Sequence, residues 1–209
     1  MDHFFPRLYG MIFNQKNKLA SLAIASAVVY LATFSTLSQS QPQVKFATSA
    51  GDFVVELYPD KAPKTVENFL QYVRDKHYDG TIFHRVIPNF MIQGGGFDAT
   101  YAQKPTRPPV AHEGRQALEK GGPRNVPGTL AMARTNDPQS ATAQFFINVK
   151  DNAFLDPSAQ SYGYTVFGRV VSGMAVVDNI KSVPTGAGGP FPTDVPKTPI
   201  LINSATLVK

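Results

Sequence analysis

Cysteine and tryptophan are both absent from this 209-residue chain. Without cysteine there is no disulfide, no zinc–thiolate site and no thiol nucleophile. Exported proteins without cysteine are ordinary, so the absence leaves the compartment open. The four histidines, His3, His77, His84 and His112, show no ligand spacing, which argues against a metal site and implies no cofactor. Charge is sparse, at 17% of residues. Of the formal net charge of +5, a net +2 lies in residues 1–40, on Arg7, Lys16 and Lys18 against Asp2. The rest is dispersed, with no basic stripe interleaved with aromatics, so nucleic acid is not a fitting partner.

What the chain does have is 43% hydrophobic residues, enough for a sizeable core. Its 16 glycines and 17 prolines are spread along the whole length. That favours many short elements joined by turns, the habit of all-β folds.

Lys16 and Lys18 precede an uncharged run from Leu19 to Leu37. A basic flank followed by an apolar stretch is the layout of a secretory signal. Ser38 and Ser40 are small and suit cleavage after either one. The alternative is an uncleaved anchor: the run would span about 28 Å as a helix. Its wealth of Ser, Thr and Ala makes it a weak spanning helix. Met11 offers a second start that leaves a compact basic leader. Residues 1–40 are therefore expected to be a signal peptide or N-terminal anchor, and 41–209 the functional domain.

Within that domain, Val44–Thr48 and Phe53–Tyr58 read as an opening β-hairpin. Ala62, Val66, Phe69, Leu70 and Val73 recur at helical spacing, with Pro63 suited to the first turn. Further β-rich runs are 81–87, 90–94, 129–134, 144–149, 165–171 and 199–208. A second helix is expected near Met174–Ile180. Many short strands and few helices imply a barrel or sandwich, and closure would remove exposed strand edges.

Two runs carry chemistry. In the first, strand alternation puts Arg85 on the face of Phe83 and Ile87. A guanidinium among apolar side chains is unusual, although a packed stem with a solvated head is the plainer reading of the residues alone. In the second, alternation puts Gln144, Phe146 and Asn148 on one face. Phe145, Ile147 and Val149 take the other, which is purely apolar and should be core. An aromatic between two amides suits a surface that holds a ring and bonds a peptide backbone. A half-exposed strand with a stray Phe is the plainer alternative.

Here the sequence resembles the cyclophilins. FHRVIPNFMIQGGGF at 83–97, GTLAMAR at 128–134, ATAQFFINV at 141–149 and YTVFGRVV at 164–171 match that family's motifs in order. The resemblance runs from about Val44 to Val208. Through MARTNDPQSATAQFFIN and DNAFLD it is most similar to the exported cyclophilins of Gram-negative bacteria, which implies a periplasmic location. It implies a mainly β fold, a closed eight-stranded antiparallel barrel capped by two helices. It also implies an outer groove that binds Xaa-Pro peptides, no metal or cofactor, and a monomer. By motif, Arg85 matches the catalytic arginine. Phe90, Met91, Phe146 and Leu155 match the proline pocket, and Gln93 and Gln144 match residues that orient the peptide. Ala133, Arg134 and Thr135 match the stretch whose backbone meets substrate. Alternation puts Met91 and Gln93 on one face but does not place Phe90.

Three positions depart from the common eukaryotic pattern. Phe154 stands for a tryptophan and so lacks its indole N–H donor, which implies weak binding of cyclosporin-like inhibitors. Tyr164 stands for a histidine and keeps an aromatic wall. Arg134 stands for an asparagine. The activity implied is cis–trans isomerisation of prolyl bonds, with proline-containing peptides and unfolded exported proteins as partners and the membrane engaged only through the N-terminal segment. A proline-peptide-binding chaperone is the alternative use of the same groove. A carbohydrate-binding barrel is a poorer fit, lacking exposed tryptophans and a carboxylate cluster.

Overall fold

The computed structural model of the protein describes residues 41–208, so the expected signal or anchor at 1–40 lies outside the described residues. Among the described residues, no helix is long and apolar enough to cross a membrane.

The chain opens as a hairpin, β1 (Gln43–Thr48) with β2 (Gly51–Leu57). Helix α1 (Pro63–Arg74) follows, then β3 (Thr81–Ile87), β4 (Met91–Asp98) and a short α2 (Gly114–Glu119). Next come β5 (Thr129–Met132), β6 (Phe145–Asn148), β7 (Val166–Ser172) and α3 (Met174–Lys181). A small hairpin, β8 (Thr185–Gly188) with β9 (Phe191–Pro196), precedes the last strand, β10 (Leu201–Leu207). Eight strands close in the order β1-β10-β3-β4-β6-β5-β7-β2, every pair antiparallel. The expected barrel and its two helices are present. Helix α2 and the β8–β9 hairpin were not anticipated.

The barrel is filled rather than hollow. Inward positions of β1, β2, β3, β6 and β7 supply Phe46, Phe53, Phe83, Phe145 and Phe167, all buried. Phe46 stacks on Phe53 at 4.9 Å, and Phe145 meets Phe83 edge-on at 6.1 Å. Such offset and edge contacts suit the ring quadrupole. Helix α1 lays Val66, Phe69 and Val73 over this core, and α3 adds Val177 and Ile180. Pro63 fits the start of α1, where an N–H would have no partner. Ala62 before it offers no capping side chain. Glu113, from the segment before α2, does so instead. Its carboxylate accepts from the backbone N–H groups of Lys64 (3.2 Å) and Thr65 (2.7 Å) and from the Thr65 hydroxyl (2.7 Å).

Strand β4 carries consecutive glycines because its surroundings leave no room. Gly95 has φ +85°, and a Cβ there would sit 2.8 Å from the Tyr78 ring. A Cβ on Gly96 would sit 2.5 Å from the Gln144 side chain. Side chains at these two points would push apart the strand and what packs on it.

The expectation that Arg85 shares a face with Phe83 is corrected. Phe83 pairs with Gly94 and Arg85 with Gln93, so β3 spends two steps where β4 spends one. This bulge reverses the alternation. Phe83 points into the barrel, fully buried, while the Arg85 side chain is 43% exposed on the outer wall.

Candidate active site

The outer faces of β3, β4, β5 and β6 build a second, smaller apolar cluster outside the barrel. Met91, Ala131, Phe146, Leu155 and Val166 are its buried members, with Ile87, Phe90, Ala133 and Tyr164 packed against it. Alternation explains the split within β6: Phe145 and Ile147 face the barrel, and Phe146 faces out.

A cleft of about 110 Å³ opens over this cluster, lined by Arg85, Phe90, Met91, Gln93, Ala133, Arg134, Phe146, Leu155 and Tyr164. It lies well below the ~300–1,000 Å³ of drug-sized ligand sites, so it suits one side chain. Phe146 forms its floor and meets the Tyr164 ring edge-on at 5.5 Å. The Arg85 Cζ lies 6.0 Å from the Phe90 ring centroid, within cation–π range.

A wider cavity of about 350 Å³ adjoins the cleft and shares Gln93, Ala133 and Arg134 with it. Its other walls include Thr135, Gln144, Gln103 and Ser140. The Gln93 amide donates to the Gln144 carbonyl oxygen at 3.0 Å, tying the two together at the shared edge. Thr135 and Gln144 thus belong to the polar neighbour rather than to the apolar cleft. Phe154 lines neither cavity. It is 71% exposed and stacks on Phe90 at 5.6 Å and 26°, extending the cleft's rim.

Phe90 escapes alternation because it stands in the turn before β4, with its N–H bonded to the Ile87 carbonyl at 3.0 Å. The Arg134 side chain is bound to protein groups. Its Nε and Nη2 donate to the Gly163 carbonyl at 3.1 and 2.8 Å, Nη1 donates to the Thr135 carbonyl at 2.8 Å, and Cζ lies 4.6 Å over the Tyr164 ring. It serves as a clasp between the two walls.

The reading of Asn148 as a groove amide is corrected. It is fully buried behind the cleft, with its Nδ2 donating to Asn125 Oδ1 (3.2 Å) and Thr129 Oγ1 (3.0 Å). Its Oδ1 accepts from Asn152 at 2.6 Å. Asn152 also donates to the Phe90 carbonyl at 2.8 Å, and Asp156 accepts from the Asn125 N–H and side chain at 2.8 and 2.9 Å. This buried network fixes the turn that carries Phe90 and the loop that carries Phe154 and Leu155. DNAFLD contains two of its members, Asn152 and Asp156, but nothing in the linear order reveals that they converge with Asn125 and Asn148.

His84, next to Arg85, turns the other way. It is buried against Phe97 (4.7 Å between centroids) and Phe191 (5.4 Å) of the β8–β9 hairpin. Burial holds its pKa down at about 4, and its Nδ1 has no hydrogen-bond partner. Among the described residues, no three His, Asp or Glu side chains gather as a metal site would require.

A barrel with a solid interior and a single-side-chain cleft on its outer wall is a scaffold for holding an extended segment, rather than a container or a pore. The cyclophilin type peptidyl-prolyl cis-trans isomerase family matches residues 43–207, and the chain belongs to that family. It is 56% identical over 168 residues to peptidyl-prolyl cis-trans isomerase cyp18 of Streptomyces antibioticus, covering 79% of this chain and 98% of the relative. It is 53% identical over 167 residues to peptidyl-prolyl cis-trans isomerase B of Escherichia coli, covering 78% and 98%. Isomerase A of Dickeya dadantii is 48% identical over 190 residues, covering 90% and 97%. A crystal structure of a Cryptosporidium parvum cyclophilin type isomerase has the same fold, with a TM-score of 0.62 at 23% identity over 81% of this chain and 98% of that one. The protein is therefore an enzyme of prolyl isomerisation.

Proposed function

We propose that Arg85 is the catalytic group of this isomerase and that the outer cleft seats the substrate's proline ring. The observation that carries this is the shared concavity: the Arg85 side chain lines the same small cleft as the rings of Phe90 and Phe146. The barrier to be lowered is rotation about an imide C–N bond, about 18–20 kcal/mol from resonance. No bond breaks, so neither a nucleophile nor a metal is needed. A cationic donor beside the prolyl nitrogen favours its pyramidal form, which has lost resonance and turns freely. Arg suits the task because it stays charged and presents a rigid fork of donors. Met91, Phe146 and Leu155 hold the ring while the preceding carbonyl swings. Gln93 and Gln144, with the Ala133–Thr135 stretch, hold the flanking backbone, and Tyr164 and the Phe90–Phe154 pair complete the walls. Lowering the barrier by ~6 kcal/mol accelerates rotation about 10⁴-fold. A charge-assisted hydrogen bond in a water-poor cleft is of the right order.

The reading extends to the cell. The basic-then-apolar segment at 16–37 supports export, and the match to the Dickeya dadantii isomerase is longer than the domain itself, so it reaches into that leading segment. The protein then acts in the periplasm as a monomer on unfolded exported chains, with the membrane engaged only through residues 1–40. Closure of the barrel, which leaves its eight strands no free edge, supports the monomer.

The test is refolding of a proline-limited client at a low enzyme-to-client ratio. An isomerase speeds the slow phase catalytically, and Arg85→Ala lowers turnover about 10²-fold while barely changing peptide affinity. Suppression of aggregation only at equal ratio points instead to a binding chaperone. Intact mass of the exported protein distinguishes a cleaved signal from an anchor.

A further inference from the structure

Beside the cleft sits a group that no motif pointed to. Asp194, on β9, brings its Oδ2 to 3.9 Å from Arg85 Nε, with both side chains part-exposed. The residue has φ +66°, a left-handed backbone that Asp tolerates better than most. The hairpin that carries it is firmly seated. Phe191 packs edge-on against Phe97 at 5.1 Å and tilts over His84 at 5.4 Å, and Val195 is buried. His84 and Arg85 are therefore the two halves of one device: the bulge sends one side chain under the hairpin and the next to the hairpin's acid.

We infer that Asp194 is a positioning residue for Arg85: its carboxylate, 3.9 Å from Nε and so an ion-pair neighbour without a hydrogen bond, biases the guanidinium toward one orientation beside the cleft. The inference rests on Arg85 being the catalytic group. The geometry leaves a clear division of labour. Phe90 lies along one side of the guanidinium at 6.0 Å, Gln93 is its cross-strand partner, and Asp194 takes the inner end of the fork. A guanidinium is a rigid plane, so a carboxylate off its Nε edge favours one orientation of the whole group. Because the pair is part-exposed, its effect is on orientation far more than on fold stability.

The test is a double-mutant cycle on the full chain, read by kcat and KM for a prolyl peptide. Asp194→Asn keeps a side chain that accepts the left-handed backbone but removes the charge. It lowers kcat about two- to fivefold with KM nearly unmoved. Asp194→Gly, which fits the same backbone without a polar tip, lowers it at least as far. In the Arg85→Ala background the same substitutions change nothing further, a result that a merely structural role would not give. Raising the salt concentration brings wild-type kcat toward that of Asp194→Asn. An unchanged kcat in Asp194→Asn, or an equal fractional loss with and without Arg85, overturns the inference while leaving Arg85 catalytic. Full turnover in Arg85→Ala overturns both.

Discussion

Arg85 faces Gln93 across β3 and β4, one residue out of step with the Phe83–Gly94 pair beside it. One extra residue in β3 lets two neighbours, His84 and Arg85, both leave the barrel and go separate ways. The arginine is thereby held on a rigid strand rather than on a loop, which suits a group whose direction matters. Arg85→Lys tests direction against charge. Lysine keeps the charge but loses the planar fork, so kcat is expected to fall about tenfold, short of the loss on alanine. Line-shape NMR of a prolyl peptide at saturating enzyme checks this.

Asn152 links the Phe90 carbonyl to Asn148 and so ties the cleft's rim to β6. Asn152→Ala leaves the buried Asn148 Oδ1 without its donor, while the Phe90 carbonyl keeps the Val149 N–H at 3.1 Å. The expected cost is about 1–3 kcal/mol of stability, with a raised KM because the turn carrying Phe90 loses its tie to Asn148 through Asn152. Urea unfolding and peptide kinetics on the same variant separate the two effects.

His84 gives a pH dependence with a definite sign. Burial holds its folded pKa at about 4, below the ordinary value of 6.5. As pH falls, the unfolded chain takes up the proton first. Stability is therefore full above about pH 6.5 and declines as pH drops toward 4, where the native ring also protonates and the loss stops. The window corresponds to about 3 kcal/mol. Burial lowers the pKa of His77 and His112 too, adding to the slope in the same direction. His84→Phe should flatten the decline between pH 6.5 and 4.5 without abolishing it, as read by urea midpoints across that range.

Phe154 presents a bare ring to solvent where many relatives of this fold are expected to carry an indole. Phe154→Trp supplies an N–H at the exposed rim. Affinity for a cyclosporin-like inhibitor is expected to rise about tenfold, the worth of one added hydrogen bond with some packing. Isothermal titration of both forms checks it.

Most of the barrel was legible from period alone. Strands β1, β2, β5, β6, β7 and β10 fall on β-rich runs bounded by turn residues and helices α1 and α3 on helical stripes, and their ends shift by only a few residues. What stayed hidden has physical causes. Helix α2 is six residues long, too short to establish a period. The β8–β9 hairpin is built from Gly186, Gly188, Pro192 and Thr193, so it reads as a loop and owes its strands to the packing of Phe191. The bulge at Arg85 is invisible to a period of two, which is why alternation assigns Arg85 to the face of both Phe83 and Ile87, whereas it shares the outer face with Ile87 alone. Asn148 was given the right face of β6, but the Asn125 and Asn152 segments cover it, and coverage is a property of the fold. The cleft residues came from resemblance, and eight of those proposed for the substrate surround one cavity with Arg85. Asp194 had no such signal, because its meaning lies only in what stands 3.9 Å away.

The seam of the barrel has a consequence for how the polypeptide matures. β1 and β10 lie side by side, Val44 opposite Leu207. During synthesis, the opening strand has only β2 beside it until the final segment emerges. The ring is completed by joining its two ends, so a chain stopped short of Leu201 lacks its closing stave and keeps β1 and β3 unzipped. An enzyme that turns prolyl bonds must itself wait for its last few residues before its own barrel can close.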